Sequence, residues 1–114
     1  MELGLKGKVA AITGGSEGIG KGIALRLSEE GAKVAICARR EDVLQQAAQE
    51  IRGKTGNEVL AIVADVTKLE TVENFIRKTV EHFGRIDILV NNAGRAAGGN
   101  FETMSDQAWY DDLD

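Results

Sequence analysis

The sequence predicts an α/β protein with a doubly wound parallel sheet, and three features of the 114-residue chain indicate this fold class. Short apolar runs alternate with amphipathic helical segments, which is the pattern of βαβ units. The runs are continuously apolar, as expected for parallel strands covered by helices on both faces. A glycine-rich turn joins the first run to the first helix. We therefore expect four parallel strands with flanking helices, in a single, incomplete domain over residues 1–114.

The first βαβ unit is predicted over the N-terminal third of the chain. Lys8–Ile12 is a buried strand by its apolarity. Apolar residues recur at helical spacing over Ile19–Leu27, and Gly31 stands where that helix should end. A second strand follows over Lys33–Ala38 and contains Cys37, the only cysteine. We expect Cys37 to be an inert buried thiol, because one cysteine cannot form a disulfide framework or a zinc site.

The second helix is predicted from about Asp42, with a helical apolar stripe that continues to Ile51. Gly53 and Gly56 are expected to end it. The next apolar run, Val59–Ala64, predicts a third strand that is buried on both faces.

The third helix has the clearest pattern in the sequence. Thr67 and Glu70 have the spacing of a capping box, in which each side chain bonds to the backbone of the other. An apolar stripe then continues to Phe83, and Gly84 stands at the position where a helix ends. Ile86–Val90 is the fourth predicted strand.

Charge and hydropathy exclude two classes of partner. The chain has 14 Lys and Arg against 18 Asp and Glu, for a net charge of −4. Its basic residues are scattered rather than clustered, so we do not expect a nucleic-acid surface. Neither a long apolar run nor a secretory signal pattern is present in the sequence, and we expect a cytoplasmic protein with no membrane partner.

Ligands of doubly wound sheets lie beyond the carboxyl ends of the strands, and the turn Thr13–Gly20 follows the first strand. Gly14 permits a tight exit from the strand, while Gly18 and Gly20 let backbone N–H groups approach a phosphate. The carboxylate of Glu17 would oppose bound phosphates unless it points into solvent. Taken alone, the turn could also be an ordinary strand-to-helix connection.

The second and third strands are followed by charged residues. Arg39 and Arg40 could pair with a ribose 2′-phosphate, which favours NADP, whereas a carboxylate there would favour NAD. They could also lie at the start of a surface helix. Asp65, followed by Val66, could accept a hydrogen bond from the adenine amine, although Asp is also common before helices.

Two amides and two small residues follow the fourth strand. Asn91 and Asn92 have donors and acceptors that could link neighbouring strand ends. Ala93 and Gly94 leave room for a flat group against the backbone. Alone, this run could be a simple turn.

The three ordered motifs Thr13–Gly20, Asp65–Val66 and Asn91–Gly94 together resemble the classical short-chain dehydrogenases/reductases. The resemblance extends from about Leu5 to Asp114 and implies a partial Rossmann fold that binds NAD or NADP. It implies that the glycine loop holds the pyrophosphate and ribose, and that the later motifs meet the adenine and the adjoining ribose. The candidate cofactor-binding residues are Gly14, Ser16, Glu17, Gly18, Ile19, Gly20, Asp65, Val66, Asn92, Ala93 and Gly94.

The same resemblance implies a cofactor preference. Arg39, with Arg40 beside it, is similar to the 2′-phosphate clamp of the NADP-preferring members, so NADP is the expected cofactor and NAD the alternative. Many of those members have a basic residue where this chain has Glu17, and this departure counts against NADP.

The family's acid/base residues are not found in this sequence. The family uses a tyrosine followed four positions later by a lysine, together with a serine and an asparagine. Tyr110 is the only tyrosine, and Asp114 stands four residues after it, where it would favour the protonated phenol. We interpret Tyr110 as part of an amphipathic helix start near Ser105. We therefore assign no catalytic residue and no metal ligand.

These features predict the NADP(H)-binding first half of an oxidoreductase that moves a hydride between nicotinamide and a small-molecule carbonyl or alcohol. We do not expect turnover by the 114-residue chain alone. One alternative is a non-catalytic dinucleotide-binding module. Another is a truncated product that self-associates through the outer edge of Ile86–Val90, since an open apolar strand edge invites pairing with another chain. That edge predicts a homo-oligomer.

Overall fold

The structure is a computed structural model that describes residues 4–92. Strands and helices alternate strictly along this part of the chain. They are β1 (Val9–Thr13), α1 (Gly18–Glu29), β2 (Lys33–Ala38), α2 (Glu41–Thr55), β3 (Val59–Val63), α3 (Leu69–Phe83) and β4 (Ile88–Asn91). All strand pairs are parallel, and the strand order is β3-β2-β1-β4. The doubly wound parallel α/β sheet predicted from the sequence is therefore confirmed.

Side chains of the central strands alternate between two cores, one on each face of the sheet. Ala10 and Ile12 of β1 belong to the core formed with α1 and α2. Ala11 points to the opposite face, where it packs with Ala35 and the fully buried Phe75 of α3. Alanines on this face of β1 and β2 leave room for the large Phe75 ring. Helices thus cover both faces of the sheet, which requires strands that are apolar at every position.

β3 lies at an edge of the sheet and is less covered than its sequence predicts. Val59 is buried, the next three residues are half-buried and Val63 is exposed. The expectation of a strand buried on both faces is wrong for β3, because it pairs with β2 alone and the helices extend only partly over the sheet edge. Apolarity of a strand did not distinguish the edge of the sheet from its centre.

Two predicted helix boundaries are corrected by the structure. α2 continues through Gly53 and ends at Gly56, whose φ of 73° is left-handed. An exposed glycine within a helix costs only about 1 kcal/mol, so Gly53 does not end it. The capping box is also wrong: the N-cap of α3 is Lys68, and the Thr67 hydroxyl donates instead to Asp65 Oδ1 at 2.6 Å.

β4 begins at Ile88, two residues later than predicted, because Asp87 binds the start of β1 with its side chain and its backbone. Asp87 Oδ2 accepts the Val9 N–H at 2.8 Å, and the Asp87 N–H donates to the Val9 carbonyl at 2.8 Å. Arg85 Nε donates to the other carboxylate oxygen of Asp87 at 3.0 Å. Burial alone would raise the pKa of Asp87, but these bonds from Val9 and Arg85 hold it below its ordinary value.

Replacing Asp87 with asparagine is expected to remove an acid-sensitive contribution to stability. The folded-state pKa is depressed, so the contribution is complete above the unfolded pKa near about 3.9 and is lost as the pH falls through the folded pKa. We expect Asp87→Asn to be less stable by about 1 kcal/mol at pH 7, and this difference to shrink as the pH falls below the ordinary carboxyl pKa of about 3.9. Urea unfolding at several pH values measures it. Asp42→Asn, at an exposed carboxylate, is the control; a difference for Asp87→Asn that does not change with pH would contradict the assignment.

Within residues 4–92, none of the helices has both the length and the apolarity needed to cross a membrane.

Candidate functional site

The strand order places a crevice between the connections that leave β1 and β4. From β1 the chain proceeds outward to β2 and then β3, whereas β4 lies on the opposite side of β1. The segments that follow β1 and β4 therefore run in different directions at the carboxyl end of the sheet. Such a reversal of strand order is where open α/β sheets bind ligands.

The glycine loop after β1 is fixed to the end of β2. Gly14 has a φ of 69°, and its N–H donates to the Cys37 carbonyl at 2.9 Å, while the Gly15 N–H reaches the same oxygen at 3.2 Å. A side chain at Gly15 would overlap Ile36, with Cβ only 2.6 Å from Ile36 Cγ2. The loop therefore lies flat against β2, and only glycine fits at these two positions.

Cys37 contributes to this loop through its backbone. Burial raises the pKa of its thiol to about 12, so the thiol remains protonated at neutral pH.

The glycine loop places the N-terminus of α1 at the crevice. The first backbone N–H groups of α1 make no hydrogen bond within the helix. Glu17 is the N-cap, and the Lys21 N–H donates to the Glu17 carbonyl at 3.3 Å, which leaves the amides of Gly18–Gly20 before the first intrahelical bond. The Glu17 side chain is exposed and makes no capping bond. Ile19 is 75% exposed. The arrangement supplies backbone donors and the positive end of the helix dipole to an anion.

Gly20 is the tightest point of the site. A Cβ there would overlap the Gly14 carbonyl oxygen and would lie 2.7 Å from Asn92 Nδ2. The glycine loop, α1 and the residue after β4 therefore meet at one place, which brings Gly14, Gly20 and Asn92 together.

Thr13, which the sequence analysis did not select as a site residue, joins the ends of β1 and β4. Its buried hydroxyl donates to Asn91 Oδ1 at 3.0 Å and accepts the Asn92 N–H at 3.0 Å. The sequence did contain a signal for this contact: a threonine directly follows the first predicted strand, and two asparagines follow the fourth. Through this bond Thr13 holds the Asn92 backbone beside the glycine loop.

A cleft of about 310 Å³ lies between the ends of β1, β2 and β3, and we call it the β2–β3 cleft. Its lining residues are Gly14, Ala38, Arg39, Ala64, Asp65, Val66 and Thr67. Three sets of residues selected from the sequence therefore line a single cavity: the start of the glycine loop, Arg39, and the pair Asp65 and Val66.

Asp65 is held ionised in this cleft. The Thr67 hydroxyl and the Thr67 N–H, at 2.6 and 2.9 Å from Asp65 Oδ1, hold the pKa of Asp65 below its ordinary value, and the positive charge of Arg39 lowers it further. A carboxylate and a guanidinium thus face the same small cavity, where they can recognise a donor and an anion respectively.

Arg40 is placed differently from Arg39. It is the N-cap of α2, and its guanidinium lies 3.5 Å from Asp42 Oδ2 in a pair whose side chains are 69% and 76% exposed. Arg40 does not line the β2–β3 cleft. The two arginines predicted together are therefore separated by the structure, one at the cleft and one on the first turn of α2.

Of the remaining predicted residues, two are described by the structure and two are not. Ser16 is half-buried in the glycine loop, and Gly18 has a φ of 57° at the start of α1. Ala93 and Gly94 lie outside the described residues.

The comparison with protein families decides where the chain belongs. The family model of short chain dehydrogenase matches residues 8–114. This chain is a member of the short-chain dehydrogenase family. The resemblance carried by its three motifs is therefore confirmed.

Relatives within the short-chain dehydrogenases are about twice as long or more. The chain is 43% identical over 108 residues to the 3-oxoacyl-acyl-carrier-protein reductase FabG of Staphylococcus epidermidis, and the match covers 94% of this chain and 44% of that relative. An L-sorbose reductase from Gluconobacter frateurii, solved with NADPH and L-sorbose, is 45% identical with a TM-score of 0.79, covering 82% of this chain and 36% of that one. An NAD+-bound xylitol dehydrogenase is 40% identical with a TM-score of 0.76, covering 80% and 35%.

Proposed function

We propose that this chain is the NADP(H)-binding part of a short-chain dehydrogenase that transfers a hydride between nicotinamide and the carbonyl or alcohol of a small molecule. The observation that carries the proposal is the β2–β3 cleft, where Arg39 and the ionised Asp65 lie beside the glycine loop. When bound, the nicotinamide ring supplies the hydride chemistry. This chain's own described residues bind and orient the adenosine side of the cofactor.

The pyrophosphate, the adenine and the 2′-phosphate each have a matching group in the described residues. The unused amides of Gly18–Gly20 fit the pyrophosphate, because they add donors to the positive end of α1. Asp65 fits the adenine amine as an acceptor, and Arg39 fits a 2′-phosphate as a donor. Gly20 has no room for a side chain, so α1 packs closely on the glycine loop and its N-terminal amides lie beside that loop.

The choice of NADP over NAD rests on this chain's own charges. The solved neighbours with NADPH, an L-sorbose reductase and a polyketide ketoreductase, also support NADP, although a xylitol dehydrogenase carries NAD+. Arg39 favours the 2′-phosphate. The Glu17 carboxylate, which counted against NADP, is exposed and makes no bond within the loop, so its repulsion of a phosphate is screened by solvent.

NADP is expected to raise the melting temperature of this chain more than NAD does. A ligand at 100 times its Kd stabilises by about 2.7 kcal/mol, which corresponds to several degrees for a domain of this size. Thermal unfolding is measured with each dinucleotide, and again with adenosine 2′,5′-bisphosphate and AMP, which lack nicotinamide and differ from each other only in the 2′-phosphate. Equal shifts from the members of each pair would remove the argument from Arg39. No shift from any of them would contradict the proposed function.

We also propose that the chain forms a homo-oligomer. The apolar strand β4 supports this, since within residues 4–92 it pairs with β1 on one side only and its other edge is open to a strand of a second copy. Sedimentation velocity over a range of concentrations is expected to show self-association, whereas a single monomeric species throughout would contradict it.

A non-catalytic dinucleotide-binding module is the alternative function. The cytoplasmic location and the absence of turnover by this chain alone stay predictions.

A further inference from the structure

Thr71, in the first turn of α3, contacts the backbone of Asp65 with a single hydroxyl group. The Asp65 N–H donates to Thr71 Oγ1 at 2.9 Å. Thr71 Oγ1 in turn lies 2.6 Å from the Asp65 carbonyl oxygen, to which it can donate, and 2.9 Å from the Lys68 carbonyl. One side-chain oxygen therefore lies within hydrogen-bond distance of both the N–H and the carbonyl of Asp65.

The hydrogen bond from the Asp65 N–H to Thr71 begins where the backbone bonds between β3 and β2 end. The Ala64 N–H donates to the Ala38 carbonyl at 3.0 Å, which links the end of β3 to β2. Asp65 is the next residue, and its N–H is bound by Thr71 instead of by β2. Because this N–H is partly buried, losing the hydroxyl would leave a backbone donor unpaired.

The Asp65 side chain depends on the position of that backbone. Both bonds from Thr67 converge on Asp65 Oδ1, at 2.9 and 2.6 Å, so Oδ2 is the oxygen left for a ligand of the β2–β3 cleft. A rotation of the Asp65 peptide would move this carboxylate relative to Arg39 and to the glycine loop. Recognition of a base edge by one acceptor needs that acceptor to be fixed in direction.

We propose that Thr71 is a positioning residue for adenine recognition: its hydroxyl fixes the Asp65 peptide and thereby holds the Asp65 carboxylate in the β2–β3 cleft. This inference rests on the proposed function, because it assumes that the cleft receives the adenosine of a dinucleotide. It goes further because Thr71 lies outside the three motifs, and we expect the selection of adenine to depend on it.

The test compares NADP with nicotinamide hypoxanthine dinucleotide phosphate, in which a carbonyl oxygen replaces the adenine amine. That replacement removes the amine donor that Asp65 would accept and places a hydrogen on the neighbouring N1, while the sugars, the phosphates and the nicotinamide are unchanged. The wild-type chain is expected to bind NADP roughly tenfold more tightly than the analogue, by titration calorimetry. Thr71→Val is expected to reduce this ratio to within about twofold, whereas Thr71→Ser should retain it because the hydroxyl is kept.

Two controls separate positioning from general loss of structure. Thr79→Val makes the same substitution on the same helix, where the hydroxyl donates to the Phe75 carbonyl at 2.7 Å and does not contact Asp65; its ratio should equal that of the wild type. In an Asp65→Ala background, Thr71→Val should change the ratio no further, because the two residues act through one carboxylate. Thr71→Ala, which admits water to the Asp65 N–H, replaces Thr71→Val if the valine variant does not fold.

Nuclear magnetic resonance titration of the Asp65 carboxyl gives a readout that needs no ligand. Freed from Thr71, Asp65 should hold Thr67 less well, and its pKa should rise toward the ordinary value in Thr71→Val but not in Thr79→Val. A Thr71→Val chain with an unchanged ratio and an unchanged titration would overturn the inference. If the wild type binds neither dinucleotide, the proposed function and the adenine role fail together, and the titration still decides whether Thr71 holds Asp65.

Discussion

Replacing Gly20 with alanine is expected to abolish dinucleotide binding and to lower the free energy of unfolding by about 1–3 kcal/mol. The added Cβ would overlap the Gly14 carbonyl oxygen and would lie 2.7 Å from Asn92 Nδ2. The neighbour that must move is backbone, so the cost cannot be relieved by a change of side-chain rotamer. Any relaxation displaces the glycine loop from the N-terminus of α1, and the phosphate-binding amides separate.

Gly22 provides a matched control for Gly20 on the same helix. A Cβ at Gly22 would have no atom within 4 Å, and the residue is exposed. Gly22→Ala should therefore stabilise the chain by about 0.5–1 kcal/mol, because alanine loses less backbone entropy in a helix. Urea unfolding and the NADP-induced change in melting temperature are measured for both variants. A Gly20→Ala chain that is as stable as Gly22→Ala, or that still binds NADP, would contradict the close contact.

Local patterns in the sequence were sufficient to predict the order of the elements and to select several of the residues that line the β2–β3 cleft. The glycine loop could be located because Gly14 and Gly18 need left-handed backbone, and few residues other than glycine adopt it. Asp65 and Arg39 could be selected because parallel strands end at a common edge of the sheet, so residues that follow different strands become neighbours.

The features that the sequence did not predict depend on contacts between distant or competing partners. Thr13 meets Asn91 and Asn92, which follow it by more than 75 residues, and no local pattern reports such a pair. Thr67 has capping-box spacing, yet the N-cap of α3 is Lys68, one residue later, and the Thr67 hydroxyl donates to Asp65 Oδ1 instead of accepting a helix N–H. The exposure of β3 follows from its place in the strand order, which its composition does not encode.

The fold separates Arg39 from Arg40. This separation allows a direct comparison of the two arginines by substitution. Both arginines follow β2, and the family resemblance pointed to Arg39 first, with Arg40 beside it. Arg39 lines the β2–β3 cleft, while Arg40 is directed to Asp42 on the first turn of α2. Substitutions at these neighbouring positions therefore remove the same charge from the chain but only one contact from the cleft.

Arg39→Ala is expected to weaken NADP binding by roughly 10- to 100-fold and to leave NAD binding nearly unchanged, because hydrogen bonds to a charged group contribute about 1.5–3 kcal/mol. Arg40→Ala is expected to weaken NADP binding less than about threefold, since exposed charges more than a few ångströms apart interact weakly. Calorimetric titration of each variant with both dinucleotides at two salt concentrations measures the effect. Equal losses in the two variants would reduce the role of Arg39 to general charge. A parallel loss of NAD binding in Arg39→Ala would instead mean that the side chain supports the cleft, whereas a loss confined to NADP identifies the 2′-phosphate as its partner.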